Sequence, residues 1–344
     1  MALLLFLLMA SFFTTGVLLI PFIDLLYRLR FQRQKQKTLD IFEQPTPIFD
    51  RLHRGKVGIP VGGGILIILI VFPLLLISLL MMYYFWLPIT SVYPIVNEVK
   101  ILLFTFLSFG ILGLYDDAKK TFVAIQEKFF GLRLRHKLIL ELVLAGIIAF
   151  WLYNDLKIQI VNIPFLGVAN LGWWYIPFAA FVITSFANAF NITDGLDGLG
   201  SGLLLICLLA FWVISAGILD VPLATFIALW LGSLIAFLYF NIYPARIFLG
   251  DTGALSFGAT MAVIGLLLGK VAALVVIGGV FVAEVASSLL QLSAKKFLGR
   301  KLLSVAPLHL WFQEKGWEEP KVVMRFWLAG IMLAVFGLFL AAMT

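Results

Sequence analysis

Five aspartates and one histidine in this chain are spaced for phosphate or metal chemistry. Asp116 and Asp117 stand side by side in Tyr115-Asp116-Asp117-Ala118-Lys119-Lys120. They fall where a helix should end, and the helix dipole disfavours negative charge there. Two adjacent carboxylates repel unless a cation binds them or one keeps a proton. The pair therefore reads as a divalent-ion or substrate-facing site or, more plainly, as solvated acids flanked by lysines. Asn191-Ile192-Thr193-Asp194-Gly195-Leu196-Asp197-Gly198 sets two aspartates three apart among glycines. That spacing suits a tight turn whose N–H groups and carboxylates face one ligand. An EF-hand is excluded, because Leu205 rather than glutamate stands twelfth from Asp194. Gly250-Asp251-Thr252-Gly253 places an acid at a helix start, where capping is the simplest role. Beside two other acidic sites on the same face, a metal-binding carboxylate becomes attractive.

Weaker signals surround these. Phe248 could lend an aromatic face to a nucleobase, although a lone Phe usually only packs. Lys56 precedes Gly62-Gly63-Gly64, and a glycine-rich helix start suits phosphate, although glycines also pack membrane helices. Glu284 falls inside an apolar run, which makes it a functional candidate by default; it is read here as a structural partner. His309 lies in a segment of mixed aromatic and charged residues that reads as an amphipathic interfacial stretch.

The elements that must position these residues are membrane helices. Of 344 residues 62% are hydrophobic and 12% charged, about half the charge of a soluble domain, and the mean hydropathy is +1.08. A single cysteine, Cys207, excludes a disulfide framework, and three scattered histidines (His53, His136, His309) exclude a structural zinc site. Ten apolar runs are long enough to span a bilayer: Ala2–Leu26, Val61–Trp86, Glu98–Tyr115, Lys137–Asn154, Trp173–Ala189, Leu199–Gly217, Pro222–Phe240, Gly253–Leu268, Val271–Leu292 and Met324–Met343. No long soluble insertion interrupts them, so residues 1–344 are expected to form one all-α polytopic membrane domain. Of the 25 Lys and Arg, all but Lys100, Lys157 and Lys270 flank one face, which the positive-inside rule assigns to the cytoplasm. All five aspartates and His309 fall on that face. The glycosylation pattern at Asn191-Ile192-Thr193 is rejected for the same reason, and the net charge of +7 points to membrane rather than nucleic acid.

Together these segments resemble the polyprenyl-phosphate N-acetylhexosamine-1-phosphate transferase family over roughly Lys56 to Arg325. The likeness rests on Asp116-Asp117-x-x-Lys120, Asn191-x-x-Asp194-Gly195-x-Asp197-Gly198 and Gly250-Asp251-x-Gly253. Gly316-Trp317-x-x-Pro320-Lys321 followed by Arg325-Phe326-Trp327 favours the branch that handles muramoyl-pentapeptide. The resemblance implies ten spanning helices in the bacterial cell membrane and a magnesium-dependent cleft facing the cytoplasm. It implies Asp251 as the magnesium ligand, and Asp116, Asp117, Asp194 and His309 as catalytic residues. It also implies Asp197, Asn241 and Phe248 around uridine, with Lys56, Lys120, Lys137, Asn191 and Gln291 as further substrate contacts. The expected partners are UDP-MurNAc-pentapeptide, undecaprenyl phosphate and membrane lipid, with no nucleic acid; a homodimer is compatible with this reading.

The sequence departs from the family pattern at Leu310 and Trp311, where histidines would follow His309, and at Ile59-Pro60-Val61-Gly62, which replaces Thr-Pro-Thr-Met. These changes bear on the donor's nucleotide and phosphates and leave the carboxylates intact. A sister activity, loading N-acetylglucosamine-1-phosphate onto the same lipid, is the alternative. An ion-coupled transporter would bind near mid-bilayer, which a set of acids at one face does not match.

Overall fold

The apolar runs fold as helices because nothing else satisfies backbone N–H and C=O groups in hydrocarbon. The computed structural model describes residues 1–32, 46–52, 54–123, 132 and 134–343; His53 lies outside them. In chain order the elements are α1 (Ala2–Arg28), α2 (Pro47–Leu52), α3 (Gly63–Tyr84), α4 (Ile95–Ala118), α5 (Leu134–Asn154), β1 (Ile160–Ile163), β2 (Gly167–Asn170), α6 (Tyr175–Thr193), α7 (Leu199–Gly217), α8 (Val221–Asn241), α9 (Gly250–Leu267), α10 (Val271–Ile277), α11 (Gly279–Phe297), α12 (Leu308–Glu314) and α13 (Glu319–Ala342). Nine helices among the described residues are long and apolar enough to cross a membrane. The chain is an all-α multi-pass membrane protein.

One expected span is broken. Val271–Leu292 is not a single rod: α10 and α11 meet at 77°. The bend falls at Gly278-Gly279, and a side chain at Gly278 would meet the Phe186 ring and the Leu274 carbonyl. Beyond it α11 carries Ser287, Ser288, Gln291, Ser293, Lys295 and Lys296, so its second half is amphipathic rather than uniformly apolar. β1 and β2 form an antiparallel hairpin, with Ile160 opposite Asn170 and Ile163 opposite Gly167. Hydropathy gives no hint of it. Asn162 ties the hairpin to the α9–α10 turn through the Gly269 carbonyl, at 3.2 Å.

α9 runs through the middle of the bundle, with α3, α4 and α6 packed around it. Small residues permit that packing, as between membrane helices in general. Gly64 and Gly253 touch backbone to backbone, and a side chain at Gly113 of α4 would run into the backbone of Asp251 and Thr252. Phe106, Trp230 and Phe257 lock α4, α8 and α9 together, with ring centroids 5.1–5.7 Å apart. The bundle has two ends: a basic end, where α4 and α6 finish and α9 starts, and an opposite end that holds the hairpin.

Candidate active site

At the basic end, Gly113 lets the last turn of α4 lie against the first turn of α9. The first N–H groups of a helix lack intrahelical partners, and at α9 Asp117 supplies them. Its Oδ1 accepts the Asp251 N–H at 2.9 Å, and its Oδ2 accepts the Thr252 N–H at 2.9 Å and the Thr252 hydroxyl at 2.8 Å. An acid 134 residues away thus serves as the helix cap, and Gly250, at φ +74°, makes the turn into that helix. Both Asp117 oxygens are committed.

Asp251 is thereby held at a helix N-terminus, where negative charge is favoured. Its Oδ2 lies 2.7 Å from Lys120 Nζ and 2.8 Å from Lys137 Nζ. The same ammonium groups lie 3.1 and 3.2 Å from Asp116 Oδ2, and Asp116 Oδ1 accepts the Leu132 N–H at 2.7 Å. Two carboxylates and two lysines therefore form one nearly neutral, largely buried set; Asp116 is 2% exposed and the Asp251 side chain 14%. Ion pairs survive burial only when charges are matched and hydrogen bonds filled. Both lysine bonds fall on Asp251 Oδ2, and the Asp251 carboxylate also hydrogen-bonds the Asp116 side chain.

Among the described residues, no three His, Cys, Asp or Glu side chains cluster tightly enough to cage a metal ion. Magnesium needs no such cage: it takes one or two carboxylates, keeps several waters and shares the substrate's phosphates. The hard oxygen donors of Asp251, with Asp116 beside it, fit a site of that kind.

The second half of the site is the turn after α6. Asp194 is half-buried, and no described residue donates a hydrogen bond to its carboxylate. Burial pushes that carboxyl up to about 7; Lys56 pulls the other way, and Asp251, Asp197 and Asp117 add to the rise. Asp194 therefore lies within electrostatic reach of the α4–α9 cluster, and acids from α4, α6 and α9 converge. Asn191 is also half-buried, and its side chain hydrogen-bonds to no described residue. Phe248 lies beside Lys56, whose Nζ is 5.6 Å from the ring centroid.

Other expected site residues are engaged in holding the frame. Lys56 Nζ reaches Asp197 Oδ1 at 2.8 Å, Glu319 Oε1 at 2.6 Å and the Gly195 carbonyl at 3.0 Å. Asp197 Oδ2 accepts the Ala245 N–H, and its own N–H donates to Glu319. Asn241 accepts from Ser201 Oγ and donates to the Ile247 carbonyl. The Gln291 amide donates to the Leu303 carbonyl and accepts the N–H groups of Leu302 and Leu303. These side chains shape the loops around the site, and their polar atoms already have partners. The glycine-rich start of α3 is no phosphate cradle: the N–H groups of Gly62, Gly63 and Gly64 donate to the carbonyls of Phe248 and Leu249.

His309 is buried and pairs with Glu284 of α11, Nδ1 to Oε2 at 2.8 Å, while its ring abuts Gly195. Sequence reasoning missed Glu319 and Ser201, because their partners are remote in the chain. It also missed Glu141, whose carboxylate, one turn beyond Lys137 in α5, accepts from Asn188.

The description of glycosyl transferase family 4 matches residues 99–269, a stretch that contains both aspartate-bearing helix ends and Asp251. A phospho-N-acetylmuramoyl-pentapeptide-transferase of Clostridium novyi (strain NT) is 36% identical over 242 residues, covering 70% of this chain and 74% of that protein. Proteins of the same name from Clostridium perfringens (strain 13 / Type A) and Caldanaerobacter subterraneus subsp. tengcongensis are 39% and 38% identical, each over 67% of this chain and 72% of their own length.

Proposed function

The chain belongs to the phospho-N-acetylmuramoyl-pentapeptide-transferase family, and we propose that it moves phospho-MurNAc-pentapeptide from its UDP carrier to undecaprenyl phosphate in peptidoglycan synthesis, releasing UMP. The observation that carries this reading is the pairing of Asp251 with Lys120 and Lys137 at a helix start, beside Asp116. The reaction is hard for an electrostatic reason: a phosphate must attack a pyrophosphate, and both are anionic. Lys120 and Lys137 face that problem directly, because ammonium groups already poised beside Asp251 can turn to phosphate oxygens without a costly reorganisation. Bound magnesium, which Asp251 would hold, supplies further neutralisation of the phosphate oxygens.

A phosphate monoester has a second pKa of about 6, so the lipid phosphate is mostly ionised at neutral pH and needs no strong base. Asp117, with both oxygens capping α9, acts by placing Asp251. Asp116 fixes the two lysines. Asp194, with no hydrogen-bond donor of its own, is the carboxylate free to meet substrate or to take a residual proton. Asn191 and the Phe248 face are left for the nucleotide. The excess of Lys and Arg at the basic end supports a cleft that opens to the cytoplasm, where a soluble donor and the headgroup of a lipid acceptor can meet.

The test is product formation by purified protein in detergent, with UDP-MurNAc-pentapeptide, undecaprenyl phosphate and magnesium. A lipid-linked muramoyl-pentapeptide and equimolar UMP are expected, with both lost on chelation. A preference for UDP-N-acetylglucosamine as donor would overturn the assignment.

A further inference from the structure

We propose that Glu284 is a positioning residue that fixes the ring tautomer of His309 and aims its free nitrogen at the turn carrying Asp194. The proposal rests on the transferase reading for its consequence but not for its geometry. Glu284 is wholly buried in α11, and His309 is 1% exposed. A carboxylate in such a place is costly unless it is paired, and here one residue fills both oxygens. Oε1 accepts the His309 backbone N–H at 3.1 Å, and Oε2 faces the ring Nδ1 at 2.8 Å. This double grip fixes both the backbone at the start of α12 and the ring it carries.

A carboxylate only accepts, so Nδ1 must carry the proton, and Nε2 is then the nitrogen left for other work. Nε2 points at the turn: a methyl group on Gly195 would lie 2.7 Å from it. Asp194 precedes that glycine, and Lys56, Asp197 and Glu319 surround the same turn. The ring is therefore delivered to the Asp194–Gly195 turn with one nitrogen already spoken for. A carboxylate behind a histidine fixes ring orientation and tautomer in hydrolytic triads and metal sites. Here the grip also includes the backbone N–H of that histidine.

Glu284→Gln separates positioning from mere support. An amide has one acceptor oxygen. If that oxygen keeps the backbone N–H, the NH2 group faces Nδ1 and forces the proton to Nε2. The first readout is ¹⁵N NMR of histidine-labelled protein at a pH where the ring is neutral, with the His309 signals assigned by His309→Ala. The native ring is expected as the Nδ1–H tautomer, and Glu284→Gln should convert it to Nε2–H. The second readout is turnover. Glu284→Gln should lower kcat roughly 10- to 100-fold, as loss of an orienting carboxylate does elsewhere, and should cost nothing further in a His309→Ala background.

An Nε2–H tautomer in the native protein overturns the proposal without any variant. So does an equal loss from Glu284→Gln whether or not His309 is present, which would mark Glu284 as a support for the fold. The NMR result stands even if native protein fails to make the lipid product, so failure of the transferase reading and failure of this one are told apart.

Discussion

Buried carboxylates gather at both ends of this bundle, and their neighbours differ. At the basic end Asp116 and Asp251 share two lysines. At the opposite end Glu98, at the start of α4, lies beside Asp220, the cap of α8. No lysine or arginine among the described residues pairs with either. Instead Ser91 donates to Glu98 at 2.7 Å, Asp220 accepts the Leu223 N–H at 3.3 Å, and Thr90 binds the backbone on both sides of Asp220. Burial pushes the Asp220 carboxyl upward. The contrast shows that convergence of acids does not by itself make a site. Ammonium groups pair with one cluster; hydroxyls and a helix start turn the other into a staple between the 90–98 segment and the α7–α8 turn.

Five variants sharpen that contrast. Lys137→Ala leaves Asp116 and Asp251 with a single shared ammonium and should cut kcat about 10²- to 10³-fold, the scale of losing one preorganised electrostatic partner. Lys137→Arg should recover only part, because a planar fork does not replace a point charge between two carboxylates. Asp117→Asn removes one acceptor from the α9 cap, which should destabilise that helix start by about 1–2 kcal/mol. It should lower both the detergent Tm and turnover while leaving the shape of the magnesium dependence unchanged.

Asp194 predicts a pH effect. With its carboxyl near 7, the charged form is populated above that value, so a reaction needing the carboxylate should rise with pH around a midpoint near 7. In Asp194→Asn the remaining activity should show no such limb; a limb that persists assigns it to another group. At the opposite end Glu98→Ala should lower Tm, through the unpaired groups left at Ser91 and Asp220, yet leave kcat within about twofold, as expected of a change far from the chemistry.

Much of this was legible in the sequence because it is local. Hydropathy marks the spans, and Lys/Arg placement marks the basic end that collects Asp116, Asp194 and Asp251. What each acid does was not legible, because that depends on partners far along the chain. Asp117 reads like its neighbour Asp116, yet caps a helix 134 residues on. Gly62-Gly63-Gly64 reads as a phosphate-binding helix start, but carbonyls of residues 248 and 249 occupy its N–H groups. The bend at Gly278 was hidden because hydropathy sums composition and is blind to direction. Glu284 was rightly expected to have a polar partner, although nothing in its own segment points to His309.

The claim that Asp251 is the cation-bearing carboxylate is tested most directly by counting bound ions. Mn²⁺, an oxygen-seeking substitute for Mg²⁺, can be followed by EPR on purified protein with UDP-MurNAc-pentapeptide present. One tightly held Mn²⁺ is predicted in the native protein and in Glu98→Ala, and none in Asp251→Ala. A bound ion that survives Asp251→Ala, or disappears with Glu98→Ala, would contradict the account.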